Sequence, residues 1–115
     1  DALRCAGLPD GTYENGGQAF TLKGIECRLT DGTIAGSVLK LNQAVKNLRD
    51  HGRVPLHAAV RAASLNAAAS VHLENKKGSL TPGKDADIVL MDENCDVKAT
   101  IVRGAVKYQK REDTP

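Results

Sequence analysis

Two apolar stripes of helical period, set between strand-like ends, constrain this chain most. Leu41, Ala44, Val45 and Leu48 recur at the i, i+3, i+4, i+7 spacing of one helix face, and Leu56, Ala59, Val60 and Ala63 repeat it. Lys40, Lys46 and Arg49 fall on other faces. Ser37 is read as an N-cap, because a serine hydroxyl can accept from a free helix N–H, and this sets the first helix over 38–49. Gly52 is read as its stop, in the left-handed conformation. Pro55 suits the first position of a second helix over 55–64, where no N–H is needed. Asn66 is read as the cap of a third, short helix through Ala67, Ala68, Ala69 and Val71. Each helix has an apolar face that needs a partner surface.

The ends of the chain do not supply that surface in an obvious way. Residues 1–17 are rich in Gly and polar side chains, with Pro9-Asp10-Gly11 and Asn15-Gly16-Gly17 as turn signals, and are read as loop. Phe20 and Leu22, then Lys23-Gly24, then Ile25, Cys27 and Leu29 form a hairpin pattern. Residues 30–36 read as a further loop. Ile88 to Met91 is a short apolar run, and Thr100 to Val102 meets Ala105-Val106 across Arg103-Gly104 in a second hairpin. The order is hairpin, helices, strands, with unpaired strand edges at the end. Aromatic residues make up only 3% of the 115, so any core rests on Val, Leu, Ile and Ala, and a domain of this size built that way is marginal. The chain therefore reads as a piece of something larger. It opens on Asp1 rather than Met, and further sequence is expected upstream.

Several function classes are disfavoured. The net charge is +2, with Lys and Arg scattered among Asp and Glu, so no basic block exists to displace counterions from nucleic acid. No apolar run of membrane-spanning length and no signal peptide are found, so no membrane partner is expected. Cys5, Cys27 and Cys95 are far apart and odd in number, which supports neither a disulfide framework nor a zinc site. They read as reduced thiols of a cytoplasmic protein, and Cys5 has no His nearby in sequence to make it a nucleophile. His51, His57 and His72 fit no metal-ligand spacing and read as surface or capping residues. Asp10 and Asp31 sit beside Gly and read as turn formers, and Gly83-Lys84 lacks the spacing of a phosphate loop. The mixed-sign run Lys107 to Glu112 reads as a solvated tail.

Four stretches carry a resemblance. They are DALRCAGLPDGTY at 1–13, LTDGTIAGS at 29–37, VPLHAAVRAASLNAAASVHL at 54–73 and GSLTPGKDADIVLMD at 78–92. Together they resemble the N-acetylglucosamine-6-phosphate deacetylase family of the amidohydrolase superfamily, over roughly residues 1–109. The fourth is the least specific, being similar to many amidohydrolases; the first two are the most particular. Ala67 stands where the family often has Pro, a change of small consequence early in a helix.

The resemblance implies an α/β fold: the C-terminal fragment of a (β/α)8 barrel plus the C-terminal strands of a composite β-sandwich. Residues 1–73 would end the barrel, 74–109 would supply sandwich strands, and 110–115 would be a tail. It also implies removal of the acetyl group from N-acetylglucosamine 6-phosphate, giving glucosamine 6-phosphate and acetate in amino-sugar catabolism. A divalent metal, zinc or iron, would polarise the amide and lower the pKa of the attacking water. Its ligands would lie outside this chain. By motif, Asp1 would be the catalytic carboxylate that takes the water's proton and passes it to the leaving amine. Ile34, Ala35 and Gly36 would line the substrate pocket, where small residues let backbone approach a sugar. The implied partners are the amino-sugar phosphate, the rest of the barrel with its N-terminal strands, and a second subunit in a homodimer. The chain by itself is expected to be inactive. Two other readings stay open: another amidohydrolase chemistry of dihydroorotase or deaminase type, and a non-catalytic β-rich interaction module.

Overall fold

A computed structural model of the chain describes residues 1–111. These residues divide into two compact units, one of residues 1–40 and one beginning at Leu41.

The first unit is a three-stranded antiparallel sheet, β1 (Gly11–Asn15), β2 (Gln18–Lys23) and β3 (Glu26–Leu29), in that order. The expected β2–β3 hairpin forms, with Leu22 opposite Cys27 and Lys23 opposite Glu26. Gly24 takes φ 62 at its turn, and its N–H donates to Asp10 Oδ1 at 3.0 Å. Asp10 thus ties the start of β1 to a neighbouring turn rather than forming its own. β1 is a correction, since 1–17 was expected to be loop. Gly16 and Gly17 take φ 60 and 81, the paired positive φ values of a two-residue hairpin turn, and fold 11–15 back onto 18–22. The glycines that suggest a loop are the hairpin's turn. Successive β2 side chains alternate, so Phe20 and Leu22 enter the core while Thr21 and Lys23 face solvent. Cys5 and Cys27 complete that core, with Leu3, Tyr13, Leu29, Ala35 and Val38 packed against it. The Tyr13 and Phe20 rings stack with centroids 6.1 Å apart.

The second unit holds α1 (Leu41–Asp50), α2 (Leu56–Ala63), α3 (Leu65–Ser70) and an antiparallel sheet of β4 (Ile88–Met91), β5 (Val97–Val102) and β6 (Ala105–Gln109). Val45 of α1, Ala59 of α2 and Cys95 between β4 and β5 form its core, with Val54, Ala63 and Met91 against them. Asn42 Nδ2 and Arg49 Nη1 donate to the carbonyls of Cys95 and Glu93, fixing α1 to the β4–β5 turn. Arg103 and Gly104 take φ 48 and 80, the expected hairpin turn.

Helix ends differ from the sequence reading. α1 starts at Leu41, and Ser37 is not its cap: Ser37 Oγ accepts from the Leu39 N–H, and its backbone pairs elsewhere. After α1 the left-handed residue is Arg53, φ 55, not Gly52. Gly52 is needed for its size, since a Cβ there would lie 2.6 Å from the Leu48 carbonyl oxygen. Pro55 occupies the cap position before α2, where its carbonyl accepts from Ala58 and Ala59. Asn66 lies inside α3, whose cap position is Ser64, and Ala67 falls in the first turn. Lys107 to Gln109 belong to β6 rather than to a tail; residues 112–115 of the expected tail lie outside the described residues.

Asp50 makes ion pairs with Arg49 and Lys46, which hold its carboxyl at about 2, below the ordinary carboxylate range. A lowered folded-state value stabilises the fold above the unfolded value, near 4, and that contribution is lost as pH falls toward 2. Urea midpoints of the full-length protein and of its Asp50→Asn variant should therefore differ at pH 6, draw together as pH falls below about 4, and converge only below about pH 2. A gap that is constant with pH would rule out the linkage.

Candidate active-site segments

The chain from Leu29 to Val38 turns twice and brings two of the sequence-selected regions together. Asp31 Oδ1 accepts from the Thr33 N–H at 2.9 Å, and that backbone donor holds its carboxyl below the ordinary range. Asp31 is thus a turn former, as its place before Gly32 suggests. Leu29 N–H then donates to Thr33 O, and Ala35 N–H to Cys27 O at 2.8 Å, laying 33–35 antiparallel beside β3. Past Gly36 the segment pairs in parallel with the N-terminal residues. Ser37 N–H donates to Asp1 O at 2.8 Å, and Leu3 N–H donates to Ser37 O at 2.9 Å.

Asp1 and Gly36 therefore lie on adjacent backbones. A Cβ at Gly36 would sit 2.8 Å from Leu3 Cγ and 3.0 Å from the Asp1 carbonyl oxygen, so only glycine permits this approach. Ile34 is exposed, and its side chain helps line a shallow cavity of ≈ 130 Å³ together with Ile25, Glu26, Cys27, Arg28 and Gly36. Arg28 is fixed there by Glu26 at 3.2 Å and by the Gly32 carbonyl at 2.9 Å. Ala35 turns its methyl into the core, so any ligand would meet its backbone. The cavity is far smaller than a usual small-molecule site, so these segments form one wall of a pocket rather than a whole one.

The second unit contributes a cavity of ≈ 700 Å³, lined largely by apolar side chains of α1, α2, β4 and β5, among them Leu41, Val45, Val60, Met91 and Val97. None of Asp1, Ile34, Ala35 or Gly36 lines it. Among the described residues no group of three or more His, Cys, Asp or Glu could hold a metal ion. His51, His57 and His72 are all exposed, as expected of surface residues. The residues present thus do not fit a metal site of their own. No helix among the described residues is long and apolar enough to cross a membrane.

One feature was not visible in the sequence. Cys5 and Cys27, 22 positions apart, bring their sulfurs to 3.5 Å in the core beneath both segments. A turn and a strand meet there, and no local spacing announces such a contact.

Residues 28–107 match the Amidohydrolase family. The chain belongs to that family. Amidohydrolases are generally metal-dependent. The chain is 40% identical over 112 residues to the N-acetylglucosamine-6-phosphate deacetylase of Bacillus subtilis (strain 168), covering 97% of itself and 28% of that protein. In structure it is similar to the Thermotoga maritima N-acetylglucosamine-6-phosphate deacetylase, with a TM-score of 0.85 and 36% identity over 96% of this chain and 30% of that one. The Mycobacterium smegmatis deacetylase, as an Asp-to-Ala variant in complex with N-acetyl-D-glucosamine-6-phosphate, matches with a TM-score of 0.78 and 27% identity over 91% of this chain and 28% of that one. The chain thus spans under a third of these amidohydrolase relatives.

Proposed function

We propose that this chain is the C-terminal part of an N-acetylglucosamine-6-phosphate deacetylase, in which residues 1–3 and 34–37 form one wall of the active site. The carrying observation is the parallel pairing of Ala2 with Ser37, which sets the Asp1 backbone against Gly36. Two stretches selected separately as catalytic and substrate-lining are thereby neighbours, joined by two backbone hydrogen bonds. The identity to deacetylases over nearly the whole chain supports the same reading.

In this reading the Asp1 carboxylate takes a proton from the attacking water and returns it to the departing amine. Gly36 holds the Asp1 backbone in register, and Ile34 closes the pocket edge. The divalent ion, zinc or iron, is held by residues outside this chain. Residues 1–73 finish a (β/α)8 barrel and 74–109 supply sandwich strands. The apolar lining of the larger cavity is the seat for strands from the other end of the parent chain, whose burial would remove that surface from water. The parent acts in the cytoplasm as a homodimer, and the 115-residue chain alone is inactive. Deacetylation assays on the full-length protein and on this chain test the proposal. Acetate release by the first but not the second is expected, and a full-length protein inert toward N-acetylglucosamine 6-phosphate would refute it.

Gly36→Ala in the full-length protein should lower kcat by up to about 10²-fold, because its methyl displaces the Asp1 backbone and misplaces the carboxylate. Gly11→Ala is the control, since Gly11 is not in the left-handed region and a Cβ there would meet only Tyr13 Cε2, at an ordinary 3.9 Å. Steady-state kinetics on both decide it: equal losses would mean that the close approach at Gly36 has no catalytic role.

A further inference from the structure

We propose that Cys5 and Cys27 are a modification site, a thiol pair that a peroxide converts reversibly to an intramolecular disulfide. Their sulfurs lie 3.5 Å apart, and all three cysteines of the chain are free thiols. A disulfide needs about 2.05 Å, so the sulfurs must approach by about 1.5 Å. Cys27 is fixed in β3 opposite Leu22, but Cys5 sits in a short turn held by Ala6 N–H to Leu3 O and Leu8 N–H to Cys5 O. Around it Arg4, Ala6, Gly7 and Leu8 are exposed, and Gly7 has open space about it. The turn can give where the strand cannot. The same turn is the route by which an oxidant reaches two buried sulfurs, by local opening.

The electron balance needs only the peroxide. The Cys5 thiolate attacks one peroxide oxygen, the O–O bond breaks, and Cys5 becomes a sulfenic acid while the released hydroxide takes up a proton to form water. The Cys27 sulfur then attacks Cys5 Sγ. The S–S bond forms, the S–O bond breaks, and the hydroxyl leaves as water with the Cys27 proton. Two thiols have lost two electrons and the peroxide has gained them. Burial, and then Cys5 beside it, push the Cys27 thiol above its ordinary value, so Cys27 keeps its proton through the first step and gives it up to the departing hydroxyl as its sulfur attacks. Cys95, buried in the core of the other unit and the one cysteine in its sequence, serves as the internal control. The new bond would tie the turn that follows Asp1 to the strand whose Cys27 carbonyl holds Ala35.

The test treats folded full-length protein with hydrogen peroxide, blocks remaining thiols with iodoacetamide under denaturing conditions, and digests with trypsin without reduction. Cleavage after Arg4, Lys23 and Arg28 releases residues 5–23 and 24–28. The expected product is a species with the summed mass of these two peptides less two hydrogens, lost on adding dithiothreitol. It should persist in Cys95→Ser and be absent from Cys5→Ser and Cys27→Ser. Should a serine variant fail to fold, the wild-type peptide map decides alone. Recovery of both peptides alkylated, oxidation stopping at sulfinic or sulfonic acid, or cross-links to other cysteines would each overturn the proposal. The readout is independent of deacetylase activity, so its failure and that of the functional reading are separable.

Discussion

Asp1→Asn in the full-length protein is expected to lower kcat by about 10²–10⁴-fold, the usual contribution of a positioned acid–base group. The substitution keeps size and backbone. The Asp1 carbonyl would still accept from the Ser37 N–H, and the Ala2–Ser37 pairing that carries the segment should survive. Melting temperature and circular dichroism should therefore stay close to the parent values, and KM should move far less than kcat. An amide cannot take the water's proton at neutral pH, so the loss should fall on the chemical step. Steady-state kinetics on wild type and Asp1→Asn would check both. A variant retaining a tenth or more of kcat would remove Asp1 from the catalytic role and leave it a backbone anchor for Ser37.

How much of this was legible in the sequence depends on whether the information was local. The β2–β3 and β5–β6 hairpins could be read, because Lys23-Gly24 and Arg103-Gly104 place glycine within apolar alternation. The helices could be read from period alone, since Val45 and Ala59 occupy their stripes and are the residues buried. Boundaries were less legible. Ser37 has the chemistry of a cap, but its backbone is committed to Ala2, and a serine in a β-bridge cannot also open a helix. Arg53 rather than Gly52 took the left-handed position, because the glycine was needed where the Leu48 carbonyl leaves no room for a Cβ. Residues 11–15 looked like loop because their strand is bracketed by turn residues, and only pairing with 18–22 makes them a strand. The site followed the same rule. Asp1 and the 34–36 loop came from a motif resemblance, whereas their adjacency, and the sulfur contact between Cys5 and Cys27, depend on a chain reversal that no sequence window contains.

Gly78→Ala is expected to destabilise the second unit strongly, by on the order of 3 kcal/mol. Two separate penalties act there. Gly78 has φ +91, outside the range that L side chains ordinarily adopt. A Cβ would also lie 2.8 Å from Leu65 Cα, 3.0 Å from the Ser64 carbonyl oxygen and 3.1 Å from Ala68 Cβ. The nearest two of these atoms are backbone, in the cap and first residue of α3, and they cannot swing aside as a side-chain tip can. The helix would have to move away, and Ala68, which lines the larger cavity, would move with it. Gly83→Ala separates the two penalties. Its φ is +92, nearly the same, but nothing lies within 4 Å of a Cβ there, so only the conformational cost of about 1–2 kcal/mol should remain. Urea unfolding of the two variants of the full-length protein measures the difference directly. A loss at Gly78 clearly exceeding that at Gly83 would establish that α3 is seated on a glycine at this crossing. Equal losses would mean that the chain at 76–80 can shift outward without cost, and that the close approach is no constraint on how α3 is held.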